Sequence, residues 1–439
     1  MSFNRAARTL FATASLLAFG VLPARAQQQQ GVRLGITYQP GYIPALVVAP
    51  IKADPALRAV ALEAADILRT DLDFSDRFEV IAVPDSMRSD GPPNYQLWNQ
   101  LGAVWLVTAD VTGSPTAPIL RVGLHDVVYG DLKNVQAFSL PDPGSVDFRM
   151  AIHRASDAVV SWATDGGSGI AASRIAFTRR AQDGSSSLWI IDSDGENPRR
   201  IETGAFSVYS PTFSGDGTRI AYAIQDVQGN YAILETNLIT GRRRTVATSS
   251  GLIQTPTYTR EGRVVYARTV GSGRVQVFVD GGGQLTDVRG DALNPTFSPD
   301  GRMFAYVSDQ TNEPQVYVQQ TSGGSARRIS VYVRNERTNA ASPDWSPSGD
   351  RIAYAAFSQG VFQIFTVNPD GSDRRMLTTR GRNESPSWAP DGRHLVFAST
   401  DRNGYAIWVI DTVTGRARTV TSGRMDQLPS WSASLRPGS

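Results

Sequence analysis

Three residue types are missing or nearly so. Cysteine is absent from the 439 residues, which excludes disulfides, thiolate metal sites, iron–sulfur clusters and cysteine nucleophiles together. Histidine occurs only at His125, His153 and His394, and no spacing pairs these as metal ligands or as an acid–base couple. Lysine is confined to Lys52 and Lys133, every other basic residue being arginine. There is no G-x-S-x-G elbow, no H-E-x-x-H pair and no phosphate-cradling glycine loop, so no conventional active site is visible. The apolar run Leu10–Leu22 falls short of the roughly 20 residues that a bilayer-spanning helix needs.

That run has another meaning. Preceded by Arg5 and Arg8 and followed by Pro23 and Ala24-Arg25-Ala26, it reads as a secretory signal over residues 1–26, with a mature N-terminus at Gln27. The leader holds three arginines and no acid, leaving 40 basic against 41 acidic residues. The whole-chain pI of about 8.8 therefore overstates the basicity of the mature protein. No basic footprint for nucleic acid or anionic lipid survives. With 41% hydrophobic and 19% charged residues, the body has the composition of a folded protein rather than a disordered chain.

What is present divides into two unlike halves. Residues 27–165 read as a small α/β domain behind an extended tail. After the polar leader Gln27–Gln30, Val32, Leu34 and Ile36 alternate with polar residues as in a strand. Ile43–Ile51 is a buried apolar run, and Asp54-Pro55 offers a cap and an N1 proline to a helix with Leu57, Val60, Ala64, Ile67 and Leu68 on one face. Strands are predicted at Phe78–Val83, Ala103–Val111, Ile119–Val128 and Val135–Leu140, with a second helix over Val146–Trp162. The glycine-rich stretch Thr164–Gly169 reads as a linker.

Residues 171–439 carry a repeat. Pro211, Pro256, Pro295, Pro343, Pro386 and Pro429 are separated by 45, 39, 48, 43 and 43 residues, and each is followed two positions later by an aromatic. That period is close to the roughly 40–45 residues of a four-stranded propeller blade. Turns such as Ser298-Pro299-Asp300-Gly301 suit hairpins, so their acids read as turn residues rather than catalysts. The sixth motif lacks a second strand after it, and Arg174–Phe177 is a second strand with no motif before it. Joining the two closes a six-bladed ring and removes exposed edges.

In such a ring the residues before each proline are expected at the mouth of the central channel. The candidate partner surface is therefore Tyr209, Ser210, Gln254, Thr255, Leu293, Asn294, Ser342, Ser385 and Leu428, a mixed apolar and hydrogen-bonding rim suited to a protein or peptide. Leu293 and Thr255 are the expected energetic centre, with Asn294 and Gln254 hydrogen bonding.

Several stretches carry a family resemblance: Leu101–Val107, Leu124-His125-Asp126-Val127, Ala151–Asp157, and Ser173–Phe177 opening the propeller. With the signal segment and the domain order, they make the chain similar to the TolB family, the periplasmic component of the Tol–Pal envelope system. It departs at Ala163–Gly166 and in the loop Val331–Asn339. The resemblance implies a non-enzymatic, monomeric periplasmic scaffold without cofactor or metal. It implies binding of the lipoprotein Pal through the propeller, binding of TolA through the tail at Val32, Leu34 and Ile36, and support of outer-membrane invagination in cell division. Other outer-membrane or peptidoglycan-associated partners are also open. The alternative is a propeller-containing hydrolase or lyase of the envelope, which would need a hydrolase domain or a histidine-rich channel. A lectin propeller would need an exposed aromatic on most blades, and only Tyr209 qualifies.

Overall fold

In a computed structural model, the structure describes residues 42–83, 91–202, 206–331, 337–401, 404–423 and 425–437. The signal segment, the tail with Val32, Leu34 and Ile36, and much of the loop Val331–Asn339 lie outside the described residues. The α/β region and the propeller that follow belong to a single unit, Ile43–Ser439.

The α/β region runs β1 (Ala45–Val48), β2 (Lys52–Ala53), α1 (Arg58–Phe74), β3 (Glu79–Ile81), α2 (Tyr95–Gln100), β4 (Trp105–Ser114), β5 (Ala117–Asp126), β6 (Asp131–Ser139) and α3 (Phe148–Ala163). Its sheet has the order β3-β1-β4-β5-β6, with β2 beside β4. β1 is parallel to β3 and β4, and the β4–β5–β6 meander is antiparallel. The helical stripes foreseen from spacing are buried: Leu57, Val60, Ala64, Ile67 and Leu68 with α1, and Phe148, Ile152, Ala155 and Val159 of α3, pack against the strand residues Trp105, Val107, Leu120, Val122 and Leu124. The Asp54 side chain makes no cap bond, and Pro55–Leu57 forms a 3-10 turn before α1 begins. The helix α2 was not expected. Six residues are too few to show a period, yet Asn94 caps it by accepting from the Leu97 amide at 3.1 Å, and Trp98 is buried.

The propeller has six sheets. Blade 1 is Ser207–Phe213, Arg219–Gln225, Tyr231–Asn237 and Arg243–Ser249. Blade 3 (from Ala292–Phe297), blade 4 (from Ala340–Trp345) and blade 5 (from Arg382–Trp388) repeat this four-stranded meander. Blade 6 is closed by the chain's last strand: Asp426–Trp431 pairs antiparallel with Arg174–Arg180, placing Ser430 opposite Ala176 and Trp431 opposite Ile175. Blade 2 corrects the expectation of a fourth strand in every repeat, since it has three: Ile253–Tyr258, Val264–Thr269 and Val275–Val279. After the Gly281-Gly282-Gly283 turn, side chains hold the returning chain. Thr286 Oγ1 accepts from the Val277 amide at 3.0 Å and donates to Gln276 Oε1 at 2.9 Å, and Gln276 Nε2 donates to the Gly290 carbonyl at 2.9 Å. The same glutamine device recurs behind Gln315 with Ser330 and Gln363 with Thr378, beside short true fourth strands. The Asp-Gly turns are structural: Asp300 accepts from Ser298 Oγ at 2.6 Å and from the Arg302 amide at 3.0 Å.

Candidate functional site

The channel is built from the six proline motifs, and its geometry is set by the backbone. In each inner strand the pairing slips by one residue across the motif, as between Tyr209 and Thr212 or Leu293 and Thr296. The bulge puts the residue before each proline in the left-handed region: φ is 46° at Ser210, 50° at Thr255, 50° at Asn294, 49° at Ser342, 53° at Ser385 and 51° at Leu428. Such a conformation is rare outside glycine, and for a β-branched threonine it is strained. Six copies at one level form a ring of distorted backbone held by close-packed blades.

These six residues, the prolines and the residues after them line a constriction enclosing about 120 Å³. The third position contributes Thr212, Thr257, Thr296, Asp344, Ser387 and Ser430, five hydroxyls and one carboxylate. The lining stitches blade to blade: the Asn294 amide donates to Thr255 Oγ1 at 3.1 Å, the Trp345 amide to Thr296 Oγ1 at 3.2 Å, and the Trp431 amide to Ser387 Oγ at 3.1 Å. Asp344 accepts from the Trp388 amide at 2.7 Å and from Thr296 Oγ1 at 3.3 Å, while burial pushes its carboxyl up to about 6. Beyond the ring, the channel widens into a funnel of about 1100 Å³ lined by the hairpin turns and by Ser432–Arg436.

Of the expected rim, Ser210, Thr255, Asn294, Ser342, Ser385 and Leu428 line the constriction, and all of them lie within the inner strands. Tyr209, Gln254 and Leu293 sit one step earlier, half-buried and outside that lining; the Tyr209 hydroxyl donates to Gln225 Oε1 at 3.0 Å. No histidine lines either cavity.

The histidines are elsewhere, and two of them join residues that no local motif links. His125 is satisfied on both nitrogens by Tyr95 Oη and Thr108 Oγ1, each at 2.9 Å, and burial lowers its pKa. His153 on α3 meets Asp71 of α1 at 2.8 Å and faces Asp194, in a turn of blade 6, at 3.7 Å. His394 of blade 5 meets Asp391 at 2.7 Å and Asp76, just after α1, at 3.2 Å. Asp71, His153 and Asp194, and likewise Asp76, His394 and Asp411, include donor types that suit a divalent cation. Arginines already supply the counter-charge: Arg149 on Asp194, Arg393 on Asp411 and Arg416 on Asp76. Both groups read as ion-pair networks.

A family model described as the TolB beta propeller domain matches residues 163–435, and one described as the TolB amino-terminal domain matches residues 33–133. A Tol-Pal system protein TolB from Bordetella parapertussis is 29% identical over 271 residues, 60% of each chain. One from Polaromonas sp. is 31% identical over 243 residues, 54% of this chain and 53% of that one. The chain thus spans little more than half the length of these curated relatives. A crystal structure of TolB from Acinetobacter baumannii shares the fold, with a TM-score of 0.77 at 23% identity over 90% of this chain and 98% of that one.

Proposed function

The chain belongs to the TolB family, and from that premise we propose that it is a non-enzymatic periplasmic scaffold of the Tol-Pal system, binding Pal through the propeller and TolA through residues 27–36. In this role it supports outer-membrane invagination during division. The observation that carries the reading is the constriction: strained backbone, prolines and nine hydroxyls surround one carboxylate, with no histidine or second acid in that lining to make a nucleophile–base pair. A rigid, mixed polar and apolar concavity favours docking, because little ordering entropy is lost on the scaffold's side.

Calorimetric titration with Pal tests it. Ser342 lines the constriction, and Ser342→Arg introduces a bulky charge that a docked partner would have to desolvate. The expected result is wild-type binding that falls at least tenfold in the variant with an unaltered melting curve. Wild-type affinity in a folded Ser342→Arg protein would move the Pal surface off the channel. Deleting residues 27–36 is expected to abolish TolA binding while leaving Pal binding intact.

A further inference from the structure

The α/β region meets the propeller through charge rather than through a shared apolar core. The only apolar cluster crossing this seam among the described residues is Met150, Ala172 and Leu435. The rest is ionic, and two fully buried imidazoles sit in it.

His153 is faced from every side by charged groups. Asp71 of α1 lies against Nδ1 at 2.8 Å and is itself fixed by Ser156 Oγ at 2.6 Å. Asp194 lies opposite Nε2, with Arg149 paired to it, and Asp192 adds a more distant negative charge. Arg418 of blade 5 donates to the Ser193 carbonyl at 3.1 Å and lies 3.9 Å over the Phe74 ring at the end of α1. His394 lies in a related cluster at the other end of the seam. Its partners are Asp391 and Asp76, with Arg77 near Asp391, and with Arg416 bonded to Asp76 at 3.0 Å. Arg393 pairs with Asp411 and also donates to the Asp76 carbonyl at 2.9 Å. His394 thus bonds a carboxylate of the α/β side on one ring nitrogen and a propeller-side carboxylate on the other, whereas His153 bonds Asp71 and leaves its buried Nε2 without a hydrogen-bond partner, 3.7 Å from Asp194. A neutral imidazole has one N–H and can satisfy only one such partner; an imidazolium has two.

We propose that His153 and His394 form a proton-operated latch: doubly protonated rings hold the α/β region against blades 5 and 6, and loss of those protons releases the seam while both parts stay folded. The direction follows from linkage. Burial opposes the charged form of His153, but Asp71, by charge and hydrogen bond, and then Asp194 overcome it and raise the ring to about 9. His394 is also raised against burial, by Asp391 and Asp76. An exposed imidazole titrates near 6.5. The latch is therefore at full strength below about pH 6.5, weakens as pH climbs, and is lost above about 9. Over that window the seam-opening equilibrium should rise on the order of a hundredfold for His153 alone.

Hydrogen exchange of the full chain reads it. The amides of Ala171 and Ala172 donate across the seam to the Asp157 carboxylate, each at 2.9 Å, and report opening; Asp157 also feels the charges of His153 and Asp71 and is pushed up to about 7 by burial, so pH dependence that persists without the two rings belongs to Asp157 and counts against the latch. After correction for intrinsic exchange, their protection is expected to fall at least tenfold between pH 6.5 and 9 while propeller strand amides and far-ultraviolet circular dichroism hold steady. In a His153→Gln, His394→Gln double variant the protection should be low already at pH 6.5 and nearly pH-independent. Imidazole titration of the wild-type protein by NMR keeps the idea falsifiable if that variant fails to fold. Protection unchanged to pH 9, strand amides lost together with the seam, or a His153 ring that titrates near 6.5 would each overturn the latch.

Discussion

The six contacts between blades and the one seam between the α/β region and the propeller solve the same problem with opposite chemistry. Each blade–blade contact has its own apolar cluster, as where Ala305, Val316 and Val318 of blade 3 meet Ala340, Trp345, Ile352 and Tyr354 of blade 4. Polar links add to it, as between Arg243 of blade 1 and Glu202 of blade 6 at 2.6 Å and from Tyr258 Oη of blade 2 to Glu235 of blade 1 at 2.9 Å. At the seam, His153, His394, Arg149, Arg393, Arg416 and Arg418 face Asp71, Asp76, Asp194 and Asp411. Burial of Arg418 is deep enough to lower its pKa to about 10. Apolar burial is non-directional and insensitive to pH, whereas buried ion pairs roughly offset their own desolvation and gain their strength from geometry and protonation. The ring is thus built to persist and the seam to respond.

Breaking the ring should have the largest effect. Ending the chain after Met425 removes the strand Asp426–Trp431, the Arg179–Asp426 pair at 2.6 Å and the buried Trp431, whose Nε1 donates to Ser173 Oγ at 2.7 Å. Blade 6 then has an open edge and exposed aromatics, and the loss is expected to exceed the ~3–5 kcal/mol typical of removing one large buried aromatic. Scanning calorimetry checks it, and an unchanged Tm would refute closure by this strand. Ending instead after Ser432 spares the strand but removes the Leu435 amide bond to the Ala172 carbonyl and the Leu435 and Arg436 carbonyls that Arg154 bonds. That variant should keep most of its Tm and lose seam protection.

A break confined to the seam should cost less. Asp157 is wholly buried, and burial pushes it up to about 7 despite two amide donors. Gly169 lies so close that an added Cβ would sit 2.0 Å from Asp157 Oδ1 and 2.9 Å from its Cα. Gly169→Ala must displace the segment that donates those amides, at a cost of about 1–3 kcal/mol, in the range of overpacked sites. Urea unfolding should show that loss together with faster exchange at Ala171 and Ala172. Equal stability with intact protection would show that the stretch is the free linker its glycines suggest.

That stretch marks where the sequence was and was not legible. Periodicity carried the ring, because six proline-aromatic motifs at blade spacing repeat one local solution, and it carried α1 and α3 through their apolar stripes. The positive φ before each proline was hidden: Ser, Thr, Asn and Leu share no side-chain signature, and the bulge arises only when the strand pairs. Which residue of each pair lines the constriction was hidden for the same reason, since a one-residue slip decides which side chains face it. The seam was invisible because its pairs are distant in sequence: Asp71 with His153, and Asp76 with His394. Only tertiary packing brings Asp71 and Asp194 to His153 and Asp76 to His394, whose one local carboxylate is Asp391.

The smallest effect is expected at Asp344, the one ionisable side chain lining the constriction. Its oxygens accept from the Trp388 amide and the Thr296 hydroxyl, with the Ser387 hydroxyl and the Trp345 amide also directed at the carboxylate; an asparagine can keep the Trp388 bond while the Thr296 hydroxyl turns to accept from the new Nδ2. Asp344→Asn therefore keeps the Trp388 bond and removes a desolvated charge. Burial raises this acid from 3.8 to about 6, so the folded state holds its proton more tightly than the unfolded one. Its contribution to stability is then greatest below about pH 4, declines as pH rises toward 6, and levels off above that. The variant should be more stable than wild type by about 1 kcal/mol at pH 7.5, with the difference vanishing near pH 4. Urea titrations at the two pH values check this. A destabilised variant at pH 7.5 would mean that the carboxylate's charge contributes to holding blades 3, 4 and 5 together, and that the ring, like the seam, depends on ionisation.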